Sequence, residues 1–228
     1  MSGRTLAIGD IHGCDIALET MLAHLQPTVD DTVVVLGDVV DRGPNTKRCI
    51  DLLLELRASC RLVFLLGNHE EMMLDALDGG SWSGSWPAYG GQEVIDSYGG
   101  IGNIPEAHLE FMRSGLDYHE TQEMIFVHAN LQPDVALDQQ DADWLRWNHL
   151  TGNEQPHPSG KWVVCGHTRL ADGVPAILNG WVCIDTFVCG GKYLTCLDTD
   201  AFTVHQTNEA GDYQGDVPLG EIAVGFRQ

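Results

Sequence analysis

The chain has 228 residues, 43% of them hydrophobic, with 33 acidic side chains against 12 basic ones and a formal net charge of −21. That length and apolar share are enough for one large domain with its own core, expected over residues 1–228, and the lack of a basic footprint excludes a nucleic-acid partner from the expectation. No apolar run approaches the about 18 residues of a membrane span, residues 1–10 lack the pattern of a secretory signal, and seven cysteines without a Cys-x-x-Cys pair fit a reducing, cytoplasmic setting.

Short runs rich in Val, Ile and Leu then recur along the chain, each ending abruptly in a residue able to bind a metal. Residues 6–8 run into Gly9-Asp10-Ile11-His12-Gly13, and a helical pattern covers 15–26. Residues 33–36 end in Gly37-Asp38-Val39-Val40-Asp41-Arg42-Gly43, followed by a helical pattern over 46–58. Residues 62–66 end in Gly67-Asn68-His69-Glu70, where a third helical pattern runs over 70–77. Apolar runs of this length bounded by Gly read as buried strands, and their alternation with helices implies βαβ units in a largely parallel sheet. Residues 78–102 have loop chemistry, with paired glycines around Trp82 and Trp86. Those tryptophans allow two readings, a substrate-facing lid or a connector packed on the core. Beyond them, residues 125–127 end in His128 and residues 162–165 in Gly166-His167. Short strands with turns are expected over 174–178, 181–184, 193–197 and 202–205, while the acidic tail from Asn208 carries few signals. Loops at the carboxyl ends of strands converge in open α/β sheets. Five such ends would gather two Asp, three His and one Asn, which reads as a metal centre.

The five motifs, from Gly9 to Thr168 and in this order, resemble the motif set of the phosphoprotein phosphatase family of metallophosphoesterases, in particular its compact bacterial and phage members. The resemblance implies an α/β, calcineurin-like sandwich of two mixed sheets flanked by helices. It also implies two divalent cations, with manganese as the activator and iron or zinc compatible; imidazole, carboxylate and amide donors without thiolate suit these ions better than calcium. Asp10, His12 and Asp38 would hold one ion, and Asp38, Asn68, His128 and His167 the other. Two ions about 3.5 to 4 Å apart share a water, lower its pKa and clamp phosphate oxygens. The implied reaction is attack of that bridging hydroxide on phosphoserine or phosphothreonine in a protein or peptide. The local charge of the ions outweighs the screened acidic surface, so an anionic substrate is admitted.

Further roles follow from the same resemblance. Arg42 offers a planar fork for two phosphate oxygens, with Asn68 also at the substrate. His69 matches the general acid for the leaving oxygen, its side chain expected to point elsewhere than the metals. Asp41 matches the carboxylate that orients this imidazole and raises its pKa. Glu70 is expected to cap or support its helix, and it leans toward the protein phosphatase branch because the hydrolase branch tends to have Asp there. The remaining histidines, such as His205, receive no role.

Two departures stand out. Relatives carry a second phosphate-binding arginine after a Leu-Trp pair; in Asp143-Trp144-Leu145-Arg146-Trp147-Asn148-His149, Arg146 is favoured for its charge and His149 is the alternative. Relatives also have Gly-Ala after Asp-Thr, where this chain has Phe187-Val188 after Asp185-Thr186, so Phe187 and Cys189 are expected to reshape the pocket wall. The rival activity is symmetrical bis(5'-nucleosyl)-tetraphosphate hydrolysis. A non-catalytic binding scaffold is the reading of another class, and the complete ligand set with Arg42 and His69 argues against it.

Overall fold

In the computed structural model, which describes residues 3–226, the first three strand–helix units form as their patterns predict. β1 (Thr5–Ile8), α1 (Asp15–Leu25), β2 (Thr32–Val35), α2 (Thr46–Leu56), β3 (Arg61–Phe64) and α3 (Asn68–Leu77) follow in order, and β1 and β3 pair in parallel with β2. Their apolar runs are unbroken because both faces are covered. In β1, Leu6 and Ile8 pack with the helices while Ala7 faces the other sheet.

Residues 78–102 hold more structure than their glycines suggest. A 3₁₀ turn over Trp86–Tyr89 leads into α4 (Gly91–Tyr98), and α5 (Glu106–Arg113) follows. Gly90 and Gly99 flank α4 in left-handed conformations, and Val94 and Tyr98, one turn apart, are its buried stripe. An apolar stripe of one turn is too short to stand out between paired glycines.

β4 (Tyr118–Glu120), β5 (Met124–Val127), α6 (Ala142–Trp147), β6 (Trp162–Cys165), β7 (Ala176–Leu178) and β8 (Trp181–Cys183) come next. The chain closes with β9 (Leu194–Asp198), β10 (Thr203–Thr207), β11 (Tyr213–Pro218), α7 (Leu219–Ile222) and β12 (Val224–Gly225). The tail, which carries few signals in the sequence, contributes β11, α7 and β12. Two mixed sheets result, in the orders β11-β10-β9-β1-β2-β3 and β12-β7-β8-β6-β5-β4. The last long strands return to the first sheet, where β9 lies antiparallel beside β1.

The sheets face each other across Ala7, Val34, Leu36, Phe126, Val164 and Val182, with helices outside. Alternation assigns each residue to a layer: Met124 and Phe126 point into the sandwich, Ile125 and Val127 away from it. Among the described residues, no helix is long and apolar enough to cross a membrane.

A buried carboxylate pins one end of the first sheet. Asp31 accepts from the Arg4 backbone N–H at 2.7 Å, Arg4 Nη2 at 2.9 Å and the Thr28 N–H at 2.9 Å. The Arg4 side chain above all holds its pKa well below the usual carboxylate range. A depressed folded-state pKa gives stability that is present above the unfolded value of about 3.9 and is lost as pH falls toward the folded value. Asp31→Asn is expected to cost about 1–3 kcal/mol at neutral pH. The difference between the urea midpoints of the two proteins should hold from pH 7 to about pH 4 and shrink progressively below that; a gap that stays constant on further acidification would mean that the charge of Asp31 contributes nothing.

Candidate metal centre

Five strand ends from the two sheets meet at one mouth of the sandwich. The turn after β1 carries Asp10 and His12, the loop after β2 carries Asp38, Asp41 and Arg42, and α3 begins with Asn68 and His69; β5 and β6 deliver His128 and His167. Asp10, His12, Asp38, Asp41, Asn68, His69 and His128 are all buried. Backbone strain collects here, since His12, Asp38, Asp41, Arg42, His167 and Phe187 all have positive φ. Such conformations persist only where the surroundings enforce them, and they cluster at functional sites.

Asp38 lies at the centre. His12 Nε2 is 3.5 Å from its Oδ2, and His128 Nε2 is 3.5 Å from its Oδ1. Two groups of possible ligand atoms share this carboxylate, His12 with Asp38 and His69, and Asp38 with His128 and His167; within each group the atoms lie within 4.8 Å of one another. Asn68 Oδ1 joins the second group, 3.2 Å from His128 Nε2 and 3.1 Å from His167 Nδ1. Asp10 reaches the same place, where both its oxygens accept from the His167 backbone N–H at 3.2 Å. It belongs to neither of the two tight groups.

The imidazoles fit a cation. His12 Nδ1 lies 2.9 Å from the Val40 carbonyl, His128 Nδ1 2.8 Å from that of Leu36, and His167 Nε2 3.1 Å from that of Trp147. A carbonyl only accepts, so each of these nitrogens carries the N–H and the other turns its lone pair to the centre. Burial pushes His12 and His167 down to about 3 and lowers His128 as well, which keeps the rings neutral. The carboxylates agree. Burial, with Asp185 and Asp38 nearby, raises Asp10 well above its ordinary range, and burial raises Asp185 to about 6. Crowded carboxylates beside inward-facing lone pairs and an amide oxygen suit divalent cations.

Glu70 fixes the position of Asp38. Fully buried, it accepts from the backbone N–H groups of Asp38 at 2.8 Å, Val39 at 2.7 Å, Val40 at 3.2 Å and Gly67 at 2.9 Å. It caps α3, as expected, and ties the β2 loop to it. Glu70 is not among the residues that line the cavity. Gly67 is needed beside Glu70, because a Cβ there would collide with the Asp38 carboxylate.

His69 is not turned away from the floor, as the sequence suggested. It stands in the group with His12 and Asp38, and its Nδ1 is 2.6 Å from Asp41 Oδ2, so Nε2 is left for the cavity. The two tryptophans of the glycine-rich segment divide the two readings between them. Trp86 is buried and its Nε1–H donates to Asp41 Oδ1 at 2.9 Å, a contact that motif reading missed. Trp82 lies in the cavity wall, parallel to Trp147 with ring centroids 5.7 Å apart.

The cavity has a volume of about 800 Å³; Asp38, Asn68, His69 and His167 lie at its floor, and Arg42, Tyr89 and Phe187 stand among its walls. Arg146 is not brought to it. Its guanidinium is held by Glu71 at 2.8 Å and by Asp117, and these carboxylates draw it away from the site. His149 does line the cavity, stacked on His167 at 4.3 Å between centroids. The second arginine in the wall is Arg169, which carries no sequence signal beyond its charge.

Fold and donor set together are those of a metal-dependent hydrolase. A family model described as calcineurin-like phosphoesterase matches residues 3–175, and the chain belongs to that family. The serine/threonine-protein phosphatase 2 of Salmonella typhimurium is 29% identical over 206 residues, covering 81% of this chain and 88% of that protein. A symmetrical bis(5'-nucleosyl)-tetraphosphatase of Burkholderia thailandensis is 31% identical over 149 residues, covering 64% of this chain. The chain spans about half the length of that relative, 49%. In fold, the chain matches the crystal structure of the cold-active protein-tyrosine phosphatase of a Shewanella species with a TM-score of 0.64 at 16% identity, over 94% of this chain and 80% of that one.

Proposed function

We propose that the chain is a dinuclear metallophosphatase that hydrolyses phosphoserine and phosphothreonine in proteins. The observation that carries the reading is one buried carboxylate, Asp38, shared by two groups of ligand atoms on the floor of an open cavity. Asp10, His12 and Asp38 would hold one ion, and Asp38, Asn68, His128 and His167 the other. Bound there, divalent ions, with manganese the proposed activator, supply an activated water and neutralise phosphate charge.

The protein's own groups do the rest. Arg42 Nη1 lies 2.9 Å from His12 Nε2, the nitrogen that a cation would take. With that nitrogen occupied, its fork turns to two phosphate oxygens. Burial works against a charged His69, but Asp38 and the Asp41 hydrogen bond outweigh it and its pKa is raised. Its Nε2–H then protonates the leaving serine or threonine oxygen, while Asp41, held by Trp86, keeps the ring in place. The Salmonella phosphatase, matched over most of its length, supports a phosphoprotein substrate.

A second reading, hydrolysis of a dinucleoside tetraphosphate, is favoured by the aromatic wall, where the parallel Trp82 and Trp147 and the edge-on Tyr89 offer faces for a base. A panel with manganese-loaded protein separates the two. Phosphoserine and phosphothreonine peptides should turn over well above diadenosine tetraphosphate. A reversed ranking would move the assignment to the dinucleotide, and no turnover of any ester would refute phosphatase activity.

A further inference from the structure

Acidic side chains far outnumber basic ones here, and Arg4, Arg48, Arg113 and Arg146 each have a carboxylate partner. Arg169 lies in the cavity wall instead, and among the described residues no carboxylate forms an ion pair with it. What holds it is an aromatic ring: its guanidinium carbon sits 4.7 Å from the centroid of Phe187. That ring is kept in place at a cost. Phe187 has φ 61°, in the left-handed region that a bulky side chain rarely adopts, and a Cβ on Gly190 would collide with its ring. Backbone strain and reserved space thus serve a platform under an arginine that faces open cavity.

Arg42 and Arg169 both line this cavity, so the two guanidinium groups can bear on one bound substrate. Their placements differ. Arg42 stands over His12, where the phosphate to be cleaved is expected, while Arg169 follows β6 and rests on the loop after β8. A guanidinium stacked on a ring keeps its N–H edge free for bidentate contact with a phosphate. One phosphate already has the ions and Arg42.

We propose that Arg169, held on Phe187, binds a second phosphate of the substrate close to the one being hydrolysed, and so selects substrates carrying two neighbouring phosphates. The proposal rests on the catalytic reading above for which phosphate is cleaved. The second phosphate comes either from an adjacent phosphoresidue in a peptide or from the next unit of a polyphosphate chain.

The test is Arg169→Gln in the metal-loaded protein, read first by binding. Calorimetry with AMP and ADP in the same excess of manganese isolates one added phosphate. Wild type should bind ADP more tightly than AMP. The variant should lose about tenfold for ADP, about 1.4 kcal/mol, and nothing for AMP. In kinetics, KM should rise about tenfold for a doubly phosphorylated peptide or for diadenosine tetraphosphate, with kcat kept and p-nitrophenyl phosphate unaffected. Whichever of the two larger substrates shows the rise identifies the source of the second phosphate. Arg169→Lys should recover part of the ADP preference through charge alone, and Phe187→Leu should lose part of it while leaving AMP binding intact. Equal losses for AMP and ADP, or no loss for either, would overturn the proposal. A wild type inactive on every ester would refute the catalytic reading, while the ADP-to-AMP ratio would still decide the role of Arg169.

Discussion

Asp38→Asn is expected to lose both metal ions and nearly all activity. Asp38 is the one side chain common to both groups of ligand atoms, and its Oδ1 also accepts from the His69 backbone N–H at 3.1 Å. An amide has a single acceptor oxygen and no charge, so it cannot serve two cations at once. Even the outer partners of metal ligands cost about 10–100-fold in affinity or activity when changed, and a bridging ligand should cost more. His205→Asn is the control, since His205 packs away from the site against Tyr213, 2.8 Å from its hydroxyl. Elemental analysis of both purified variants decides the matter. Two ions still tightly held by the Asp38 variant would show that the bridging role is wrong.

His69→Asn should separate leaving groups. General acids contribute about 10²–10⁴-fold, and their value grows with the basicity of the departing oxygen. The variant should therefore lose that much on phosphoserine peptides and distinctly less on p-nitrophenyl phosphate, with its metal content kept because Asp10 rather than His69 is the proposed third ligand beside His12 and Asp38. Trp86→Phe should give the same pattern in weaker form, because it removes only the Nε1–H that holds Asp41 at 2.9 Å. The kinetic constants on the two substrates are the readout. Equal losses on both with the metals in place would make His69 a phosphate-binding group rather than a proton donor.

Short-range pattern carried the strand ends and the three helices that follow the first of them. Leu6 to Ile8, Val33 to Leu36 and Trp162 to Cys165 announce buried strands because apolar runs stop at glycines, and each stop delivers a polar side chain to the mouth. Sheet membership is another matter. A strand apolar on both faces looks the same in either layer, so nothing in Leu194 to Asp198 says that β9 pairs with β1 rather than with β8. α4 was hidden because its buried stripe is only Val94 and Tyr98.

Contacts between distant residues were the least legible. Trp86 reaches Asp41 across 45 positions, and neither residue type implies the bond. Charge alone could not tell Arg146, captured by Glu71 and Asp117, from Arg169, which faces the cavity.

The central claim is that one carboxylate joins two metal positions, and anomalous scattering from crystals of manganese-loaded protein tests it most directly. The account predicts two peaks flanking Asp38, one beside His12 and one beside Asn68, His128 and His167. A single peak, or a pair in which neither touches Asp38, would contradict it.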